Sequence, residues 1–359
     1  YKVITRTGLV NNHYLAFSGG TPQSNYRASF GVMDHNTIIK KMDYNVFVAK
    51  VDVTQKAFND RLTGEFGVFG SSFKNHDIFD TQMLFYSAAC QNPTFPAGTD
   101  EHGNWLKNES ATHVNPPGIL LEEKNDSKDL NFDAHIKLSY DFNKNWRVST
   151  FGSYLYGSTE NGQFCPTWVW AQGNVYRGEF KKEEWLGNVS LDFNKEFGIH
   201  KVSAGVSSEY RKLRKTAFWV YAKGIPTNDF HYDNLGATAA RPYGGTESTY
   251  EDQSLASVMG SITYNLLDRY TLAVNARGDG SSMVGDNNTW GFFPSVSFTW
   301  DMKKESFLAN IKPLSMLKLR TGLGQAGNLG GITAYTTMNT VRQTGIVPVN
   351  SSPTVTLGM

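Results

Sequence analysis

Gly322, Gly324 and Gly327 carry the Gly-x-Gly-x-x-Gly spacing of a dinucleotide-binding loop. Pyrophosphate binding needs that loop to open a helix whose N-terminal amides face the phosphates. Residues 328–335 are glycine-rich without helical pattern, so the glycines read as a strand end where a hairpin turns, and no cofactor is expected. Asp100, Glu101 and His102 could hold a cation but read as solvated loop residues, and no metal site is expected. The eight histidines are scattered, without a His-Glu-x-x-His pair, and no Gly-x-Ser-x-Gly elbow offers a serine nucleophile. No catalytic residue emerges, and the chain does not read as an enzyme. Cys90 and Cys165 are the two cysteines: too few for a disulfide framework and not spaced for zinc, although one bridge between exposed loops is left open.

Aromatic side chains in polar surroundings are more informative, because sugar rings present apolar C–H faces that stack on indole and phenol rings. Trp105, Trp168, Trp170, Trp219, Tyr221, Phe230, Tyr232 and Tyr243 fall in segments that read as long loops, where binding residues concentrate. A second set, Asp133, His135, Lys137, Asp192, Arg277, Asp279, Lys318 and Arg320, alternates with apolar residues and would line a wet interior. Solvation on one face of a sheet would suit the same chemistry.

Those spacings require strands. Phe132, Ala134, Ile136, Leu138, Tyr140 and Phe142 alternate with polar residues, as do Val189, Leu191 and Phe193, Val202, Ala204 and Val206, and Tyr270, Leu272, Val274 and Ala276. Period-2 alternation gives each strand one apolar and one polar face. It predicts about twelve or thirteen antiparallel strands, with connections alternating short and long as in outer-membrane barrels. Short turns fall at 20–25, 143–145, 196–198 and 266–269, and long loops at about 74–130, 158–183 and 216–250. Phe79, Met83, Leu84, Ala88 and Ala89 predict a short helix in the first long loop, stopped at Asn92-Pro93.

A soluble sandwich also alternates, so aromatic placement is the further test. Ten residues separate Trp290 from Trp300, which on a tilted strand is roughly 25 Å along a membrane normal, the height of the apolar band of a barrel. Tyr140, Phe142, Tyr270, Trp290 and Trp300 are the expected lipid-facing girdle. Pro294 could introduce a bulge and turn Trp290 inward.

Composition agrees. Of 359 residues 40% are hydrophobic, yet no run approaches the ~18 apolar residues of a membrane-spanning helix. Aromatics reach 13% and glycines number 34, favouring strands and turns. Lys and Arg total 34 against 33 for Asp and Glu, which offers no field for nucleic acid. Residues 1–8 lack the pattern of a signal peptide, so a leader was cleaved or the chain begins mid-protein. No linker or repeat divides the chain, and 1–359 reads as one domain.

From about Ser254 the sequence carries Asp268-Arg269-Tyr270-Thr271-Leu272, Arg277-Gly278-Asp279-Gly280-Ser281-Ser282, Asn287-Asn288-Thr289-Trp290-Gly291-Phe292-Phe293-Pro294-Ser295-Val296-Ser297, Glu305-Ser306-Phe307-Leu308, Leu317-Lys318-Leu319-Arg320 and Gly324-Gln325-Ala326-Gly327-Asn328. Earlier lie Asn12-His13-Tyr14-Leu15-Ala16-Phe17-Ser18-Gly19-Gly20, Tyr26-Arg27-Ala28-Ser29-Phe30-Gly31 and Gln91-Asn92-Pro93-Thr94-Phe95-Pro96. This ordered set resembles the SusC/RagA class of TonB-linked outer-membrane proteins, the transport halves of glycan and peptide uptake systems in Bacteroides-type bacteria. Met283-Val284 and Leu323 depart from its usual residues. The resemblance implies an all-β fold, part of an antiparallel transmembrane barrel of about 22 strands with a plugged lumen. It also implies import of glycans or oligopeptides across the outer membrane with a SusD-like surface lipoprotein and TonB, the plug, TonB box and last strands being expected outside this chain. A passive porin and an outer-membrane barrel hydrolase are the alternatives.

Overall fold

The computed structural model describes residues 2–107, 114–170, 172–242, 244–285, 289–337, 342–349 and 352–358. Twelve strands form one antiparallel sheet in which each pairs with its neighbours in sequence: β1 (Leu9–Gly20), β2 (Ser24–Asn36), β3 (Asp43–Ala57), β4 (Leu62–Asp77), β5 (Lys124–Asp141), β6 (Trp146–Cys165), β7 (Asn174–Phe197), β8 (His200–Lys223), β9 (Thr246–Leu266), β10 (Tyr270–Ser281), β11 (Trp290–Asp301) and β12 (Lys318–Gly324). β1 and β12 are the sheet's two edges, and β13 (Arg342–Val349) with β14 (Ser352–Gly358) makes a separate hairpin. No helix among the described residues is long and apolar enough to cross a membrane, which has no bearing on strands.

The strand ends on one side carry tight turns at 21–23, 58–61, 142–145, 198–199 and 267–269 together with the 302–317 connection, and those on the other side carry the longest connections. The expected short turns are therefore found. The long connections are shorter than the alternation implied: 78–123, 166–173 and 224–245. β7 and β8 each run 24 residues, about 80 Å of strand. Their upper parts, such as Lys181-Lys182-Glu183-Glu184, are polar on both faces, so pairing continues where the period-2 signal has vanished. Trp219 and Tyr221 consequently belong to β8 and not to a loop.

The described residues of the first long connection form two helices. α1 (Thr81–Cys90) is the expected one; the Asp80 carboxylate caps it by accepting the Met83 N–H at 2.8 Å. α2 (Pro116–Glu122) was not anticipated, although Asn115 as N-cap followed by Pro116 at the first helical position is a legible start signal. Ile78 and Leu84 pack with Ile119 and Leu120 of α2, and with Ile4 and Ile39, into a small core. The loop is thereby a folded unit seated on the strand ends.

Register decides the faces. Trp300 pairs with Tyr270 and Trp290 with Gly280 in an uninterrupted ladder. Pro294 sits opposite Ala276 without a bulge, so Trp290 stays on the face of Trp300.

Candidate functional site

The apolar face is bounded by two aromatic rows. Toward the tight turns, Tyr140 and Phe142 lie 5.1 Å apart, Trp146 and Phe193 4.7 Å, His200 and Tyr264 5.9 Å, and Tyr270 and Trp300 6.2 Å, centroid to centroid. Glu305 fixes the last pair, accepting the Tyr270 hydroxyl at 2.6 Å, the Trp300 indole N–H at 3.0 Å and an Arg269 N–H at 3.1 Å. Toward the long connections, Phe132, Tyr154 and Trp185 follow one another at 6.5 and 4.3 Å, with Trp290 in the same face on β11. Tyr140, Tyr270, Trp290 and Trp300 lie on this face by register, and Phe142, in the turn after β5, packs on Tyr140.

The opposite face carries the charged set, mostly as local pairs. His135 lies 3.4 Å from Asp133, Lys137 3.4 Å from Glu65, and Lys318 3.5 Å from Asp301. The Arg277 Nε reaches Asp279 at 2.7 Å and its Nη2 donates to Ser257 at 3.0 Å. Asp192 accepts from Ser190 at 3.2 Å, and Arg320 stands on the edge strand facing Thr299. Asp192, Arg277 and Asp279 border a cleft of about 640 Å³, across which Gln325, Ala326 and Gly327 turn. Gly322 and Gly324 are in β12 and pack on Ser297 and Ser295, and a Cβ at Gly327 would fall 2.4 Å from the Phe293 ring.

The eight candidate aromatics separate into groups. Trp105 and Trp168 meet over α2, 6.3 Å apart. Their indole N–H groups donate to the two oxygens of Glu122, that of Trp168 at 2.6 Å. Gly118 makes this possible, since a Cβ there would lie 2.5 Å from the Trp168 ring and 2.9 Å from that of Trp105. Trp170 is exposed in the same 166–173 connection. Trp219 and Tyr221 share the parity of the charged face; Trp219 stacks on Phe180 at 6.2 Å and 16°, in a cleft of about 650 Å³ with Lys182, Lys215 and Glu251 on its border. The Tyr221 hydroxyl donates to Asn174 at 2.9 Å.

Tyr232 goes elsewhere. Its connection folds over the other side of the strands, where Phe164, Val175, Ala222 and Ile225 form a buried cluster under Tyr232 and Leu235. The Tyr232 hydroxyl donates to Asp126 at 2.6 Å, and Arg177 anchors Asp233 at 2.7 Å. Burial and the Asp126 carboxylate push the phenol's pKa up. Phe230 is exposed on the same segment, and Tyr243 lies outside the described residues. The eight therefore make no single platform: the sheet stands between Tyr232 and Trp219.

Sequence reasoning missed Glu122 and Glu123 at the end of α2. Glu123 is buried, accepting the Asp80 N–H at 3.0 Å and the Cys165 thiol at 3.5 Å. Burial pushes its carboxyl up to about 7, and pushes the Cys165 thiol up as well. Cys165 is a buried strand residue and Cys90 an exposed helical one, both free thiols, so the bridge left open above is not formed. Asp100 accepts the amides of His102 and Asn104 at 2.9 and 2.8 Å, as an ordinary Asx turn does.

A sequentially paired antiparallel sheet with one apolar and one charged face, tight turns at one edge and folded loops at the other is the wall of a β-barrel. Residues 72–355 match the family described as TonB dependent receptor-like, beta-barrel, and the chain belongs to that family. TonB-dependent receptor P3 of Formosa agariphila is 28% identical over an alignment 353 positions long that covers 93% of this chain and 34% of that protein. TonB-dependent receptor SusC of Bacteroides thetaiotaomicron is 28% identical over an alignment 371 positions long that covers 92% of this chain and 35% of that protein. The chain thus spans about a third of the length of these relatives. Among solved structures the RagAB peptide transporter superposes with a TM-score of 0.78 at 16% identity, covering 100% of this chain and 41% of that one. The ferric citrate transporter FecA does so with a TM-score of 0.52 at 8% identity, covering 84% and 41%. At such identities the likeness is one of fold.

Proposed function

We propose that the chain is a wall segment, residues 1–359, of a TonB-dependent importer in the outer membrane of a Gram-negative, Bacteroides-type bacterium. The observation that carries this reading is the pair of aromatic rows bounding one apolar face. The Trp290–Trp300 span of roughly 25 Å suits a bilayer's hydrocarbon core, and indole and phenol rings favour its interfaces. Tyr140, Phe142, Tyr270, Trp290 and Trp300 face lipid, while Asp133, His135, Lys137, Asp192, Arg277, Asp279, Lys318 and Arg320 face the lumen and its plug. The long connections are extracellular. The likeness to the RagAB peptide transporter and to SusC supports import of an oligopeptide or glycan, with TonB acting through parts outside this chain and a SusD-like lipoprotein as surface partner. Of the aromatics, Trp105 and Trp168 on Glu122, and Trp219 on Phe180, are the pre-ordered surfaces for substrate; the role is transport and not catalysis.

The test is uptake of labelled oligosaccharides and oligopeptides by cells carrying the intact protein, with and without a protonophore. Import lost on deleting the gene and on de-energising the cells is expected. Entry at an unchanged rate into de-energised cells would make the protein a passive pore, and turnover of substrate by the purified intact protein would make it an enzyme.

A further inference from the structure

On the apolar face, just inside the turn-edge aromatic row, lies a trough of about 500 Å³. Its register explains it. Phe193, Ala204, Ile262 and Val274 stand opposite one another across β7 to β10, and the next rung is Leu191, Val206, Gly260 and Ala276. Small residues, Ala204, Gly260 and Ala276, make the floor; Trp146, Leu191 and Phe193 make one wall, and Ile262 and Val274 the other. Nothing lies within 4 Å of a Cβ built on Gly260, so the floor is open there. An acyl chain lying in such a recess gains dispersion contacts on its flanks as well as beneath it, which a flat sheet face does not offer.

Two cations lie on the turn side of the trough, beyond its lining residues. Lys195 is on the same strand and face as Phe193, one rung nearer the turns, opposite Val202. Lys144 lies in the 142–145 turn, two residues before Trp146. Both are exposed, and neither ammonium has a carboxylate partner among the described residues, whereas Lys201, on the polar face at this edge, is paired with Asp268 at 2.8 Å. An apolar slot with unpaired ammonium groups at its interfacial end has the chemistry of a diacyl phosphate lipid.

We propose that this trough binds one glycerophospholipid of the periplasmic leaflet, an acyl chain lying over Ala204 and Gly260 and the phosphate at Lys195 and Lys144. The inference rests on the membrane reading above. The test is native mass spectrometry of the intact protein released from membranes in mild detergent. The wild type retains one phospholipid; Gly260→Leu, which fills the floor into open space, loses it. Lys144→Glu with Lys195→Glu lowers retention by about fivefold per lysine. Heat-modifiable migration in gels reports folding of each variant. A wild type without the adduct, an adduct of lipopolysaccharide mass, or a folded variant retaining as much as wild type overturns the proposal. Recovery as a folded barrel from the membrane fraction in those cases leaves the importer reading standing; a freely soluble intact protein sinks both.

Discussion

Trp105 and Trp168, 63 residues apart in the chain, have ring centroids 6.3 Å apart and share one carboxylate, each indole N–H donating to a different oxygen of Glu122. The rings are thus held by a charge-assisted bond apiece. Glu122→Ala leaves two half-buried indole donors without their acceptor and is expected to cost the loop about 2–3 kcal/mol. Faster amide exchange in α2 and a red-shifted tryptophan emission would report it. Gly118→Ala should do the same by a different route, since its methyl would occupy the place of the Trp168 ring; unchanged emission in both variants would separate the indoles from the loop's stability.

Glu123 makes the same loop sensitive to pH. Burial raises its carboxyl from 4.5 to about 7. Between those values the folded state holds a proton that the unfolded state has released, so stability falls as pH rises from about 4.5 to about 7 and is level above. The change amounts to about 3 kcal/mol for this one group. Amide exchange of α1 and α2, corrected for its intrinsic pH dependence, should show weaker protection at pH 8 than at pH 5. Glu123→Gln, which keeps an acceptor for the Asp80 amide, should flatten the profile; a wild-type profile already flat would refute the account.

The sheet was legible wherever its two faces met different solvents. Leu272 and Val274 alternate with Thr271 and Asn275, and their ladder to β11 is where alternation put it. In β7, Lys181 to Glu184 continue the strand on which Val189, Leu191 and Phe193 alternate, yet both faces are polar there and the side chains carry no period. Trp219 and Tyr221 were misread for that reason. The site was less legible than the fold, because its contacts join distant segments. Nothing in the local text around Tyr232 announces that it will cross to Asp126, 106 residues earlier. α2 is a different case: Asn115-Pro116 was a readable start, and its brevity hid it.

The 267–268 turn stores strain that a substitution can release. Leu267 and Asp268 both have positive φ, 59° and 54°, as the two central residues of a type I′ turn require, here closed by the Arg269 N–H donating to the Leu266 carbonyl at 3.0 Å. A leucine in that region costs about 1–2 kcal/mol, and asparagine much less. Leu267 is 40% exposed, so little packing is lost with it. Leu267→Asn is therefore expected to raise the stability of the intact protein by about 1 kcal/mol, read as a higher urea midpoint. Asp268 should be kept, because it pairs with Lys201 and its amide donates to Asn265 at 3.0 Å. A lower midpoint would mean that the Leu267 side chain has a partner in the membrane interface.

Val274 and Asn275 are adjacent on β10 and point to opposite faces: Val274 sits between Ile262 and Val296, Asn275 between Ser261 and Ser295. Arginine at the two positions therefore asks the same side chain to enter two media. Val274 is four residues from Tyr270 and six from Gly280, which pairs with Trp290, and so lies near the middle of the apolar band. Val274→Arg should cost about 2–4 kcal/mol in folding of the intact protein into liposomes. Asn275→Arg meets a hydrated interior and should cost well under about 1 kcal/mol. A soluble two-layer sandwich would also penalise Val274→Arg, but its folding would need no lipid, so the pair must be measured with and without vesicles. A penalty at Val274 that appears only when a bilayer is the solvent ties the apolar parity of these strands to acyl chains; equal penalties at both positions would mean that neither face meets water.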